Sequence, residues 1–136
     1  MTSATVKLIT DYYAAFNAGD MDTFLSLLTD DVIHDINQGH REIGKEAFAR
    51  FMQRMNKHYL EQLKDIVVMA HSDGSRGAAE FVVYGEYLST DEGLPEAAGQ
   101  RYILPAGAFF AIRDNKVARI SNYYNLNDWI AQVNPA

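Results

Sequence analysis

The pattern of apolar and polar positions is most regular near the carboxyl end of the chain. Mainly apolar runs occupy positions 102–112 and 117–124, and the four polar residues 113–116 separate the two runs. Two strand-like runs joined by a short polar break are typical of a β-hairpin. Positions 101–129 therefore predict a hairpin around which the rest of the chain is organised.

The first strand of this hairpin is apolar on both faces. Leu104 and Phe110 lie on the even face, and Gly107, Phe109 and Ala111 lie on the odd face. Because side chains alternate along a strand, neither face suits water. We expect one face to cover a core or cavity, and the other to meet a helix or a second subunit.

Helical spacing dominates the first half of the chain. A stripe of apolar residues predicts a first helix that begins near Ser3 or Thr5, and Gly19 and Asp20 suit the end of that helix and the cap of the next. The second helix is predicted at 21–28. A third, at 45–58, carries an apolar stripe: Phe48, Phe51, Met52, Met55 and Tyr59.

The remaining segments predict strands at 32–37, 63–70 and 78–89, and a closing helix at 126–133. Helices that precede a meander of antiparallel strands indicate an α+β fold. A strongly curved sheet over helices leaves a pocket, which is the expected ligand site. The polar loop 90–99 contains Gly and Pro, and we expect it to act as a lid.

Composition narrows the function classes. The chain has 136 residues, a net charge of −6 and no cysteine. One domain over positions 1–136 is expected, without nucleic-acid binding and without thiolate or Cys-metal chemistry. His34, His40, His58 and His71 have no metal-ligand spacing, so we expect no metal and no cofactor. No run suits a signal peptide or membrane span, and a cytoplasmic location is the default expectation.

Three segments carry a resemblance to a known superfamily: AAFNAGDMDTFLSLLTDDV, HDINQGHREIGKEAF and FFAIRDNKVARISNYYNLNDW. Their order and spacing resemble the nuclear transport factor 2-like superfamily, and within it the SnoaL-like and ketosteroid isomerase-like proteins. The resemblance implies a cone in which three helices pack in the mouth of a curved mixed sheet. It also implies a homodimer through the outer face of the sheet. Isomerases, polyketide cyclases, epoxide hydrolases, dehydratases and silent binding domains share this fold.

The resemblance suggests two catalytic residues. Asp35 matches the position of the general base in ketosteroid isomerases, and a carboxylate in an apolar pocket would have a raised pKa. Tyr12, seven residues before Gly19, matches their oxyanion-binding tyrosine. The structural alternatives are a solvated Asp35 and a Tyr12 that only packs. Ala108 stands at the place of their second oxyanion donor, which argues against steroid isomerisation itself.

A third candidate acid is Glu86, which alternates with Tyr84 on a face expected to line the pocket. Limonene epoxide hydrolase-like proteins carry an Asp at the place of Glu86 and an Arg at the place of Tyr84. Their further Asp corresponds to Asn122 in this chain. That set is therefore incomplete here, and a solvated Glu86 is the alternative. Asn122 and Tyr124 share a strand face and are candidate ligand contacts.

Apolar side chains complete the expected pocket: Phe51, Met55, Phe110 and Trp129. We expect His34 to face away from Asp35, and His40 to lie near the mouth. The leading hypothesis is a cofactor-free enzyme that isomerises or cyclises a small apolar carbonyl ligand by proton transfer. A non-catalytic binding module, or an epoxide hydrolase or dehydratase, is the alternative.

Overall fold

The computed structural model describes residues 3–134. Within this range the chain forms four helices and six strands in the order α1 (Ala4–Ala18), α2 (Met21–Ser26), β1 (Leu28–Asp35), β2 (Arg41–Ile43), α3 (Lys45–His58), β3 (Tyr59–Ala70), β4 (Arg76–Tyr87), β5 (Arg101–Arg113), β6 (Lys116–Tyr124) and α4 (Leu126–Val133). The predicted α+β class and most predicted elements are confirmed. The sequence patterns missed β2 and the early starts of β1 and β3.

The helix boundaries follow the predicted capping chemistry. The hydroxyl of Ser3 accepts a hydrogen bond from the backbone N–H of Val6 at 3.1 Å. Gly19 ends α1 in the left-handed region at φ 70°, which costs a glycine little. Asp20 then caps α2 by accepting from the N–H of Thr23. These caps fix where α1 and α2 turn back towards the sheet.

The six strands form one mixed sheet in the order β2-β1-β6-β5-β4-β3. Strands β3 to β6 are an antiparallel meander, and β1 joins β6 in parallel. The predicted hairpin is confirmed: Asp114 and Asn115 both have positive φ between β5 and β6, as the tight primed turn requires. This sheet curves around the helices in the cone-shaped arrangement that the resemblance implied.

The two apolar faces of β5 lie in different environments. Tyr102, Leu104 and Phe110 on the even face are at most 2% exposed, whereas Ile103 and Phe109 on the odd face are 54% and 55% exposed. The even face packs against the helices and lines the interior. The outer face of β5 is consequently apolar and open.

Candidate active site

A cavity of about 790 Å³ lies between the inner face of the sheet and the helices. Most of its wall is apolar or aromatic, with contributions from Phe16, Phe24, Phe48, Phe51, Met52, Met55, Leu104 and Trp129. Polar side chains also line the cavity: Tyr12, His34, Asn37, Gln38, His40, Glu42, Arg54, His58, Tyr59, Glu61, Thr90, Asp91, Glu92, Tyr102, Asn122, Tyr123 and Tyr124. A largely apolar cavity with convergent polar groups is typical of a small-molecule site.

The most distinctive polar group is a carboxyl on the edge strand β3. Glu61, Gly85 and Tyr102 are directly opposite one another on β3, β4 and β5. A Cβ atom at Gly85 would lie 2.2 Å from Cζ of Tyr102, so only glycine leaves room for the ring. The ring therefore lies across β4, and the Tyr102 hydroxyl donates to Oε2 of Glu61 at 2.5 Å.

The environment of Glu61 favours proton transfer. Burial raises the pKa of its carboxyl above the ordinary value, and the hydrogen bond from Tyr102 acts in the opposite direction. A carboxyl whose pKa moves towards neutrality is a better general base and acid at physiological pH. Since Glu61 lines the cavity, a bound ligand can reach it.

A second acid lies in the same cavity wall. Asp91, in the loop after β4, accepts a hydrogen bond from the Tyr59 hydroxyl at 2.8 Å. Nε2 of His58 is 3.8 Å from the other carboxylate oxygen of Asp91. Burial, followed by the hydrogen bond to Asp91, raises the pKa of Tyr59. The phenol therefore stays protonated at neutral pH.

His34 faces the cavity. It lies on the opposite face of β1 from Asp35, as predicted, but it is His34 and not Asp35 that points inward. Its ring stacks on Phe48 at a centroid distance of 4.2 Å and an interplanar angle of 7°. Only 2% of the residue is exposed, and desolvation lowers the pKa of His34 from 6.5 to about 4. Nε2 lies 3.3 Å from Nδ2 of Asn122. His34 is consequently a neutral hydrogen-bonding group.

Tyr12 also faces the cavity, as predicted. Its ring contacts the rings of Tyr13, Phe24 and Phe110, and burial raises the pKa of its phenol well above 10. Within residues 3–134 its hydroxyl has no hydrogen-bond partner. It is therefore a protonated phenol whose hydrogen bond is available to a ligand.

The predicted orientation of Asp35 is wrong. Because His34 takes the inward phase of β1, Asp35 projects from the opposite face and does not line the large cavity. Arg41 binds its carboxylate with Nε at 2.6 Å, and the Ser121 hydroxyl donates to it at 2.6 Å. The hydrogen bond from Arg41 is the main reason that the pKa of Asp35 is lowered. An acid so paired is a poor general base.

The predicted orientation of Glu86 and Tyr84 is wrong for the same reason. Neither residue lines the cavity; the inward phase of β4 contains Phe81, Val83 and Tyr87 instead. Tyr84 is 38% exposed on the outer face, where the ammonium of Lys64 lies 4.6 Å from its ring centroid. The carboxyl expected at Glu86 is supplied by Glu61 on the neighbouring strand.

Comparison with known proteins places this geometry in a family. A model of the SnoaL-like domain matches residues 9–120. The chain belongs to the SnoaL-like domain family. Among curated proteins, none matches it.

Solved structures resemble this SnoaL-like domain over nearly its whole length. A proposed polyketide cyclase of Pseudomonas putida KT2440 is 63% identical, with a TM-score of 0.95, over 97% of this chain and 99% of that one. Another from Xanthomonas campestris pv. campestris is 58% identical, with a TM-score of 0.92, over 95% and 96%. A nuclear transport factor 2-like protein of Burkholderia xenovorans LB400 shows the shared fold at 17% identity and a TM-score of 0.76, over 98% of both chains.

The other predicted contacts of the SnoaL-like domain divide between cavity and core. Five line the cavity as predicted: Phe51, Met55, Asn122, Tyr124 and Trp129. Phe110 does not line it; it is 1% exposed and packs edge-on against Tyr12 and Tyr13. Its predicted ligand contact is therefore replaced by a role in the core beneath α1.

The loop between β4 and β5 forms part of the cavity wall. Thr90, Asp91 and Leu94 line the cavity. The backbone N–H of Asp91 donates to the Tyr87 hydroxyl at 3.0 Å, and that hydroxyl donates to the carbonyl of Pro95 at 2.7 Å. These bonds attach the loop to the end of β4. The loop is thus placed where a lid would lie.

The described residues place no three His, Cys, Asp or Glu side chains where they would hold a metal ion. Across residues 3–134 no helix is both long and apolar enough to cross a membrane. His40, which was expected near the mouth, lines the cavity with a 77% exposed side chain.

The sequence patterns missed four site residues: Tyr59, Glu61, Asp91 and Tyr102. Strand β3 was predicted to begin at 63, which left Tyr59 and Glu61 at a helix end and in a connection. The alternation here gives no clear signal, because the inward positions include the charged Glu61 and the outward positions include the apolar Leu60. No periodicity marks Asp91 either, because it lies in a loop.

Proposed function

We propose that this SnoaL-like domain is a cofactor-free enzyme that transfers a proton on a small, mainly apolar carbonyl compound, as an isomerase or a cyclase does. The observation that carries the proposal is Glu61, a carboxyl with a raised pKa that lines an apolar cavity and accepts a short hydrogen bond from Tyr102. Similarity to proposed polyketide cyclases supports the same class of reaction.

In the proposed reaction Glu61 is the base. Its carboxylate takes a proton from a carbon next to the ligand carbonyl, and the electron pair of that C–H bond moves onto the carbonyl oxygen. The Tyr12 hydroxyl, which has a free proton to donate, stabilises the resulting enolate oxygen. Return of the proton from Glu61 to another carbon of the enolate completes an isomerisation. In a cyclisation the enolate carbon instead attacks a second carbonyl carbon, the π electron pair moves onto that oxygen, and Glu61 returns its proton to the new alkoxide.

Tyr102 acts as a positioning residue in this scheme. Its hydroxyl occupies Oε2 of Glu61, which leaves the other carboxyl oxygen for the ligand. The ring is fixed above Gly85 and edge-on to Trp129, at a centroid distance of 5.8 Å. The base is thus held in one orientation before the ligand binds, as efficient proton transfer requires.

The test is the exchange of ligand protons with deuterated water. β-Tetralone, a bicyclic ketone with acidic protons beside its carbonyl, is a suitable probe, and proton NMR follows the loss of signal. Glu61→Gln should slow the catalysed exchange by about 10²- to 10⁴-fold, the usual contribution of a general base. Asp35→Asn is the matched control, and its rate should stay close to that of the parent protein.

Two outcomes would contradict the proposal. Equal exchange rates for Glu61→Gln and the parent protein would remove Glu61 from the reaction. Saturable binding of the ketone without any catalysed exchange would favour the competing function, a non-catalytic binding module that uses the same cavity. Release of a diol from an epoxide probe, with no ketone exchange, would favour an epoxide hydrolase-like activity instead.

A further inference from the structure

The hydrogen bonds of Asp91 determine whether the neighbouring Tyr59 can donate a hydrogen bond to a ligand or only accept one. Asp91 is 8% exposed. Its Oδ2 accepts from the Tyr59 hydroxyl at 2.8 Å, and its Oδ1 accepts from the backbone N–H of Glu92 at 3.0 Å. His58 lies behind Oδ1 at 3.8 Å. Both carboxylate oxygens are therefore already engaged within the protein.

The Tyr59 hydroxyl can only accept a hydrogen bond from a ligand. A phenol has one proton to donate, and here Asp91 takes it. The hydroxyl oxygen keeps its lone pairs, and donation to a carboxylate makes that oxygen a stronger acceptor. Since Tyr59 lines the cavity, it presents this acceptor to whatever is bound there.

Tyr102, which lies near Tyr59, also has no proton left for a ligand. It gives its proton to Glu61, and its oxygen already accepts a hydrogen bond from the indole N–H of Trp129. Both rings stand edge-on to Trp129, at centroid distances of 5.9 Å for Tyr59 and 5.8 Å for Tyr102. The two hydroxyls therefore belong to one end of the cavity. This end is rich in acceptors and carries two acids.

A ligand group that only accepts hydrogen bonds is poorly suited to this end. A ketone oxygen or an ether would face lone pairs there, and its own lone pairs would stay unsatisfied at a cost. A hydroxyl group, in contrast, donates to the Tyr59 oxygen and pairs both groups. The carbonyl oxygen of a ligand is better placed near Tyr12, which has a proton to give.

We propose that Tyr59, held by Asp91, is an acceptor subsite for a ligand hydroxyl, so that the preferred substrates are phenols or enolised dicarbonyl compounds rather than simple ketones. This extension rests on the proposed function because it places the substrate hydroxyl at the same end of the cavity as Glu61. Tyr59 selects the substrate and Glu61 moves the proton.

The test compares two probes that differ by one methyl group. β-Naphthol carries a donor hydroxyl, and its methyl ether has the same ring system with an acceptor only. Fluorescence titration should show that the parent protein binds β-naphthol about tenfold more tightly than the ether, which is the effect of one hydrogen bond to a charge-assisted acceptor. Equal affinities would overturn the proposal without any variant.

Variants then assign the preference to a residue. The double variant Tyr59→Phe, Asp91→Asn removes both the phenol oxygen and the anion behind it, and should reduce the preference to less than about threefold. Tyr84→Phe, on the outer face, is the matched control and should keep the full preference. A double variant that retains its circular dichroism spectrum and the full preference would overturn the assignment.

Glu61→Gln separates this inference from the proposed function. The variant should lose proton exchange on β-tetralone and keep the preference for β-naphthol over its methyl ether. Loss of the preference in Glu61→Gln would assign the hydroxyl to Glu61 and overturn the role of Tyr59. Exchange that survives in Glu61→Gln, together with a preference that needs Tyr59, would refute the base and leave the acceptor subsite intact.

Discussion

The inward orientation of His34 makes the stability of the fold depend on pH in a calculable way. Desolvation lowers the pKa of His34 to about 4 in the folded protein, from 6.5. The unfolded chain therefore binds more protons than the folded protein between these two values. Protonation of His34 therefore does not reduce the free energy of unfolding above pH 6.5. As the pH falls from 6.5 towards 4, the free energy of unfolding decreases.

The size of the loss follows from the two pKa values. At a pH of about 5 the folded protein should be less stable than at about 7.5 by roughly 2 kcal/mol through this residue alone, and by roughly 3 kcal/mol at a pH of about 4. Two acids lie near His34. Glu42 is its cross-strand neighbour, and the charge of Asp35 favours the protonated imidazole and so raises the pKa of His34. A substitution at His34 leaves both acids in place.

The assay is urea denaturation of the parent protein and His34→Phe at both pH values. Phenylalanine keeps a planar ring on Phe48 but has no proton to bind, so the variant should lose about 2 kcal/mol less stability on acidification. His71→Gln is the control, because His71 lies in an exposed turn. Identical pH dependence in the parent and His34→Phe would refute the burial of a neutral His34.

Three further predictions concern the rest of the molecule. Gly85→Ala should lower the free energy of unfolding by about 1–3 kcal/mol in urea denaturation, because its Cβ displaces the Tyr102 ring; unchanged stability would contradict that contact. We propose that a second copy covers the outer face of the sheet, so Phe109→Lys should convert a dimer to a monomer in sedimentation equilibrium, and a monomeric parent protein would refute this. We expect the 90–99 loop to be a lid, so bound β-naphthol should slow amide hydrogen exchange there; equal exchange with and without ligand would argue against it.

The accuracy of the sequence interpretation depended on how different the two faces of each strand are. On β5 the side chains of the even face are larger than those of the odd face, and the assignment of Phe110 to the interior was correct. On β4 both faces contain large apolar side chains, since Phe81, Val83 and Tyr87 alternate with Val82 and Tyr84. Periodicity of two cannot choose between such faces. The wrong choice placed Glu86 in the cavity.

Asp35 shows the complementary limit of an argument from resemblance. The resemblance suggested the strand position of Asp35, but the orientation of a side chain depends on which face of the strand it occupies. In β1 the stacking of His34 on Phe48 selects one phase, and Arg41 and Ser121 stabilise the carboxylate on the other face. The sequence contains these partners but not the distances that decide between them.

The same reasoning explains why the acid of the cavity was found only in the structure. A glycine in a strand usually indicates a bulge or a close approach, and Gly85 is a close approach, because it admits the ring of Tyr102. That ring is what carries a hydroxyl to Glu61 from two strands away. Three residues that are unremarkable along the sequence thus form one functional row across the sheet. Loss of either the space at Gly85 or the hydroxyl at Tyr102 should release the base.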